Sequence, residues 1–233
     1  EHPMAKVGDA EYEGWSTASS GLAAIYATDN SRAAIFDAMR RKETYATTGS
    51  RMTVRFFGGW EFDASDASNR LPASVGYRKG VPMGGDLRSA PNGQAPSFLV
   101  AARKDPMSGN LDRIQIVKGW LDSRGNTHEK VYDVTWSDQR QPGEDGKLPA
   151  VGNTVDVANA TWTNTIGDPE LITVWTDPDF DADEPAFYYA RVIEIPTPRW
   201  TAYEAKFYGI DAPAESPMTT QERAYTSPIW YTP

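Results

Sequence analysis

The chain contains no cysteine. That absence removes disulfides, thiolate zinc sites and cysteine nucleophiles together, while saying little about compartment. Histidine is nearly as scarce, with only His2 and His128 in 233 residues. A zinc-hydrolase site needs clustered His and carboxylate ligands with one position open to water, and two isolated histidines do not supply it. A serine-hydrolase reading fails on the same ground, since the hydroxyl lacks a nearby base and no G-x-S-x-G elbow occurs. Long apolar runs are missing too. No window approaches the roughly 20 residues of a membrane-spanning helix, and "EHPMAKVGDAEYEGW" has neither the basic start nor the apolar run of a signal peptide. We therefore expect no membrane span, and any export signal of the parent protein would precede residue 1 and make it periplasmic or secreted. Positive charge is also short: 23 Lys+Arg against 32 Asp+Glu leave a net charge of −9 without a basic stripe, which argues against nucleic acid as a partner.

What is present suffices for a packed core: 39% hydrophobic residues, with eight Trp, eleven Tyr and eight Phe. The hydrophobic period changes near residue 50. "GLAAIYA" reads as a short buried strand, and "TDNS" offers Asp29, Asn30 and Ser31 as helix caps. In "SRAAIFDAMRRKE", Ile35, Ala38, Met39 and Lys42 share a helical face, with Arg40 and Arg41 at the C-terminal end that suits cations. "TYATTG" then reads as another strand, so strand, helix and strand compose a βαβ unit that normally belongs to a parallel sheet or barrel. Beyond residue 50, "RMTVRFFG", "SFLVAARKD" and "LDRIQIVKGWLD" alternate with a period of two, and a hairpin is expected from Asp112 to Trp136 around Gly125 and Asn126. "NTVDVANATWT", "ELITVWTD", "AFYYARVIEI" and "YTSPIWYT" read as further strands, while "RWTAYEAKFYG" has room for a turn or two of helix. The expected fold is mainly β: an antiparallel, immunoglobulin-like β-sandwich over residues 51–233, preceded in residues 1–50 by a remnant βαβ unit of an α/β barrel. Ile25, Ile35 and Met39 are expected to meet Phe56, Phe57 or Trp60 at the join.

Some features invite a functional reading. "DPDFDADEP" spaces Asp177, Asp179, Asp181 and Asp183 like the opening of an EF-hand loop, but Ala182 stands where its glycine belongs and Tyr188 where its glutamate belongs. Asp177, Asp179 and Asp181 are therefore weak Ca²⁺ candidates, with an ordinary acidic turn as the alternative. "FGGW" and "MGGD" fit no phosphate loop and read as bulges or turns. Trp136, Trp162, Trp175 and Trp230 lie in strand-like runs, where core packing competes with an exposed aromatic platform for sugar stacking.

The runs "GLAAIYATDNSRAAIFDAMRRKETYATTGSRMTVRFFGGWEF", "VPMGGDL", "LDRIQIVKGWLDSRGNTHEKVYDVTWSD", "VWTDPDFDADEPAFYYARVIEIPTPRW" and "ERAYTSPIWYTP" carry a resemblance. Together they are similar to the C-terminal portion of a bacterial family catalogued as domain of unknown function thirty-six-oh-four. That family resembles the polymerase-and-histidinol-phosphatase (PHP) superfamily of metal-dependent phosphoesterases. The resemblance implies that Gly21 to Gly49 is the last unit of a metal-binding barrel, whose Zn, Mn or Mg ligands come from His-x-Asp-x-His-like motifs. No such motif occurs here, and His2, followed by Pro3 and Met4, matches none, so no catalytic or metal residue is assigned to this chain. Thr47, Thr48 and Gly49, at the end of the implied barrel strand, are candidates for the edge of the substrate pocket. The expected function is thus a non-catalytic, accessory C-terminal domain of a metal-dependent hydrolase, partnered by the N-terminal barrel of the same parent. The alternative is a self-contained carbohydrate- or ligand-binding β-sandwich module.

Overall fold

The computed structural model describes residues 4–17, 19 and 21–233. The first half of the chain forms β1 (Ala5–Val7), β2 (Ala10–Tyr12), β3 (Leu22–Ile25), α1 (Arg32–Arg40), β4 (Thr44–Thr47), β5 (Thr53–Gly59), α2 (Pro72–Lys79), β6 (Gly80–Pro82), β7 (Asp86–Arg88) and β8 (Ser97–Arg103). The second half forms β9 (Leu111–Leu121), β10 (Thr127–Trp136), β11 (Glu170–Thr176), β12 (Ala186–Glu194), β13 (Thr197–Pro198), α3 (Trp200–Tyr208), β14 (Thr219–Thr220), β15 (Arg223–Thr226) and β16 (Ile229–Thr232). The protein is mainly β, with curled sheets. An eight-stranded sheet runs β10-β9-β12-β15-β4-β3, with β16 and β7 extending from β12, and a four-stranded sheet runs β11-β8-β5-β6.

Alternation along the strands builds the core. On β12, Ala186, Tyr188, Ala190, Val192 and Glu194 are buried and the residues between them are not, as the period of two requires. The first four meet Phe56, Phe98, Val100 and Leu171 from the smaller sheet in one continuous cluster. Phe98 sits at its centre, 5.5 Å from the Phe56 ring and 4.5 Å from the Tyr188 ring. The outer face of the smaller sheet is covered by α2, beneath which Phe57, Phe62, Val75 and Leu99 form a second cluster. A Cβ at Gly76 of α2 would lie 2.3 Å from the Phe57 ring, so glycine lets helix and strand approach.

The hairpin forms as expected, β9 pairing antiparallel with β10 and a register shift falling between Asp133 and Thr135. Strand, helix and strand also occur between residues 22 and 47, but β3 pairs antiparallel with β4, Leu22 opposite Thr47 and Ile25 opposite Thr44. This corrects the parallel pairing that a βαβ unit requires: α1 here returns the chain to run back alongside its own strand. β4 in turn pairs with β15, which places β3 and β4 in the same sheet as the hairpin. The expected strand at "NTVDVANATWT" is replaced by a loop with a lone bridge between Asp156 and Thr161. Asp156 accepts from both the backbone and the side chain of Asn159 there, a local turn that competes with a ladder. The eight-residue helix α2 interrupts the strands where none was expected, and α3 runs nine residues to Gly209, whose φ of 62° closes it in the left-handed conformation.

The join near residue 50 also differs in detail. Met39 is 55% exposed and the buried residue of α1 is Ala38, at 0%. Contact with β5 is made instead by Tyr26, whose hydroxyl donates to the Val54 carbonyl (2.8 Å) and whose ring lies 5.7 Å from that of Tyr45. Ala38→Asp should therefore destabilise the chain by about 3 kcal/mol, whereas Met39→Asp should cost under about 1 kcal/mol, mostly from a negative charge near a helix C-terminus. Urea unfolding of the two variants side by side checks this ordering.

Candidate functional site

Thr47, Thr48 and Gly49 follow one another but serve different places. Thr47 is buried and its hydroxyl donates to the Ser50 carbonyl (2.6 Å), which shapes the turn after β4. Thr48 faces a polar recess: its hydroxyl donates to the Glu222 carboxylate and accepts from the Arg223 backbone N–H (2.9 Å). Gly49 borders the same carboxylate: a Cβ there would lie 3.4 Å from Glu222 Oε2, at ordinary contact distance. The recess has a volume of about 300 Å³, and Arg199, Trp200, Gln221 and Arg223 complete its walls. Arg199 donates through Nη2 to the Thr17 carbonyl (2.7 Å), which also accepts from Trp200 Nε1 (3.2 Å). The other terminal nitrogen, Nη1, is buried with no hydrogen-bond partner among the described residues. The Glu222 carboxylate and the guanidiniums of Arg199 and Arg223 line the same recess, a set that can orient a polar or anionic group.

Beneath this recess lies a carboxyl group that motif reading missed. Glu194 is fully buried, its backbone N–H donates to the Glu222 carbonyl (2.9 Å), and its Oε2 accepts from the Ser108 hydroxyl (2.6 Å). Among the described residues Oε1 has no partner of normal geometry, and neither has the nearby Ser50 hydroxyl. Burial pushes the Glu194 pKa up to about 7, against the partial relief of the serine hydroxyls. The signal was in the strand: continuing the alternation of Ala186, Tyr188, Ala190 and Val192 turns Glu194 inward. Asp112, buried nearby, is compensated instead by Arg140 (2.7 Å) and Arg113 (3.2 Å).

The acidic run is arranged around lysines. Asp177 Oδ2 pairs with the buried Lys118 ammonium at 2.7 Å and accepts from the Tyr188 hydroxyl at 2.7 Å. Lys118 also donates to the Asp179 carbonyl (2.7 Å). The Asp179 carboxylate accepts from Lys130 (2.5 Å) and Tyr132 (2.7 Å), which holds its pKa below the usual range, while Asp181 accepts from the Asp183 N–H (2.9 Å). The three calcium candidates thus point to separate partners, and the cation at the centre of the run is an ammonium. No group of three or more His, Cys, Asp or Glu suited to a metal occurs among the described residues. His128 sits at the end of the β9–β10 hairpin, stacked 5.1 Å from Trp120 with Nε2 2.8 Å from Asp122, and His2 lies outside the described residues.

Comparison with known proteins gives a family without an activity. The family described as "Protein of unknown function (DUF3604)" matches residues 2–233, and the chain belongs to it. No curated protein and no solved structure matches.

Two outcomes follow from the buried carboxyls. The Glu194 pKa is about 7 in the fold against 4.5 when unperturbed, so above about pH 4.5 the unfolded chain loses a proton that the folded chain keeps. Glu194 should therefore lower stability as pH rises from about 4.5 to 7, and urea midpoints of Glu194→Gln should lack that decline. Lys118→Met should cost about 3–5 kcal/mol by stranding Asp177, and Lys118→Met with Asp177→Asn, which keeps an acceptor for Tyr188, should recover most of the loss. Denaturant unfolding of the single and double variants reads it.

Proposed function

We propose that this member of the family acts as the non-catalytic, accessory β-domain of a larger metal-dependent, phosphoesterase-like hydrolase. On this reading its two packed sheets form an immunoglobulin-like sandwich, and residues 21–49 form the joint to a PHP-like barrel of the same parent protein. The observation that carries the proposal is an uncovered edge. β3 ends the large sheet with one side unpaired among the described residues, and Leu22, Phe36 and Met39 beside it are 41%, 59% and 55% exposed. An open strand edge flanked by apolar side chains is a pairing liability that proteins ordinarily cover. The polar recess with Thr48 and Glu222 opens next to this edge, because Leu22 lies opposite Thr47.

The described residues do not fit a divalent-metal site, so on this reading the barrel alone supplies ligands for Zn, Mn or Mg and the hydrolytic chemistry. What this chain contributes is cover for the barrel and, through Thr48, Gly49 and Glu222, one polar border of the substrate opening.

The test compares this chain with the longer product of its gene. Backbone amides of β3 should exchange rapidly in the 233-residue chain and become protected in the longer one. Phe36→Asp should leave the melting temperature of the short chain within about a degree or two, as an exposed substitution does, and lower that of the longer product by several degrees. Equal exchange of β3 in both, with no added effect of Phe36→Asp, would sink the proposal.

A further inference from the structure

The outer face of the eight-stranded sheet holds a recess that neither the polar pocket nor the β3 edge explains. Four strands contribute to one cross-strand row: Glu129 on β10 pairs with Gly119 on β9, which pairs with Phe187 on β12, which pairs with Trp230 on β16. Their neighbours Ala186 and Tyr231 point the other way into the core, so this row faces outward. Gly119 makes the recess possible. A Cβ there would lie 2.3 Å from the Phe187 ring, so any side chain would displace the ring that floors the site. Trp230, 44% exposed, stands 5.3 Å from Phe187 with the ring planes 52° apart, and the two form an angled platform. Around it opens a cavity of about 590 Å³, walled by Leu121 and Pro185 and rimmed by Thr127, Glu129 and Thr232.

We infer that this recess binds a neutral oligosaccharide, with the apolar face of a pyranose ring on Trp230 and its hydroxyls on the rim. The volume suits a small-molecule site, and the combination of an aromatic floor with a few polar groups at the border fits an amphipathic ligand. Pyranoses have that character: C–H bonds on one face stack on an aromatic ring, and the hydroxyls around the edge donate and accept. Glu129 and the two threonines supply the matching acceptors and donors. No lysine or arginine lines the cavity; His128 does, but its ring is engaged with Asp122 at 2.8 Å and stacked on Trp120, which leaves an anionic ligand facing the Glu129 carboxylate. A cationic amine would meet the outward-facing rings of Phe187 and Trp230 as an angled open platform rather than an enclosing cage.

Isothermal titration and tryptophan fluorescence on the 233-residue chain test this with neutral hexamers of glucose, xylose, mannose and N-acetylglucosamine, and with choline as the cationic probe. At least one hexamer should bind saturably. Trp230→Ala should weaken that binding roughly tenfold or more, and Glu129→Gln several-fold. Phe207→Ala, on the exposed part of α3, should leave it unchanged. Circular dichroism confirms that each variant is folded, and the exposed Glu129→Gln keeps the test informative if Trp230→Ala is not. The inference is overturned if no hexamer binds, if binding survives both recess variants, if choline binds in place of the sugars, or if sedimentation shows the chain pairing with itself through Trp230.

Discussion

The contact between Phe98 and Tyr188 joins the two sheets, and much of the molecule is arranged to permit it. Phe98 can sit between Phe56 and Tyr188 only because β8 and β12 turn their alternate residues toward each other. A buried tyrosine carries its hydroxyl into the core with it, and that hydroxyl needs an acceptor. Asp177 is the acceptor, which buries a carboxylate, and the carboxylate needs a cation. Lys118 reaches it from β9 and also donates to the Asp179 carbonyl. One aromatic contact thereby fixes the path of the whole acidic loop.

Two buried carboxyl groups show how the same residue chemistry meets opposite surroundings. Asp177 faces the Lys118 ammonium at 2.7 Å. Glu194 is met by a serine hydroxyl and by no cation among the described residues, so burial favours its neutral form until near pH 7. Glu194 ends β12, while Asp177, directly after β11, reaches Lys118 of β9 and Tyr188 of β12. The difference is made by what the neighbouring strand places opposite, and not by depth alone.

The runs that became β5, β8, β11, β12 and the β9–β10 hairpin were legible as β-prone segments set between turn residues, and on β12 burial of one face imposes a period of two that the residues obey. Strand direction was not legible. "GLAAIYA" and "TYATTG" with a helix between them fit parallel or antiparallel pairing equally in local pattern, and the choice depends on the geometry of a connection of irregular residues around α1. α2 escaped notice because eight residues beginning at Pro72 give barely two turns of pattern, with Gly76 where a core residue would otherwise advertise the buried face. For the sites, the aspartates from 177 to 183 were visible as a string, but the lysines that occupy them lie on β9 and β10, and only folding brings them together. The Phe187–Trp230 platform was invisible for the same reason: Gly119, Phe187 and Trp230 are neighbours only through strand order.

The Thr17 carbonyl, gripped by both Arg199 and Trp200, has a mechanical side. Tension applied to the segment before β3 would load those two hydrogen bonds, and through them α3 and the short β13–β14 ribbon, before it could peel β3 from β4 strand by strand. The two bonds converge on a single carbonyl ahead of the ladder, whereas the four pairs of β3 and β4 come after it along the chain. A pull from that end is thus carried into the body of the domain, and the weakest edge of its largest sheet is spared the load.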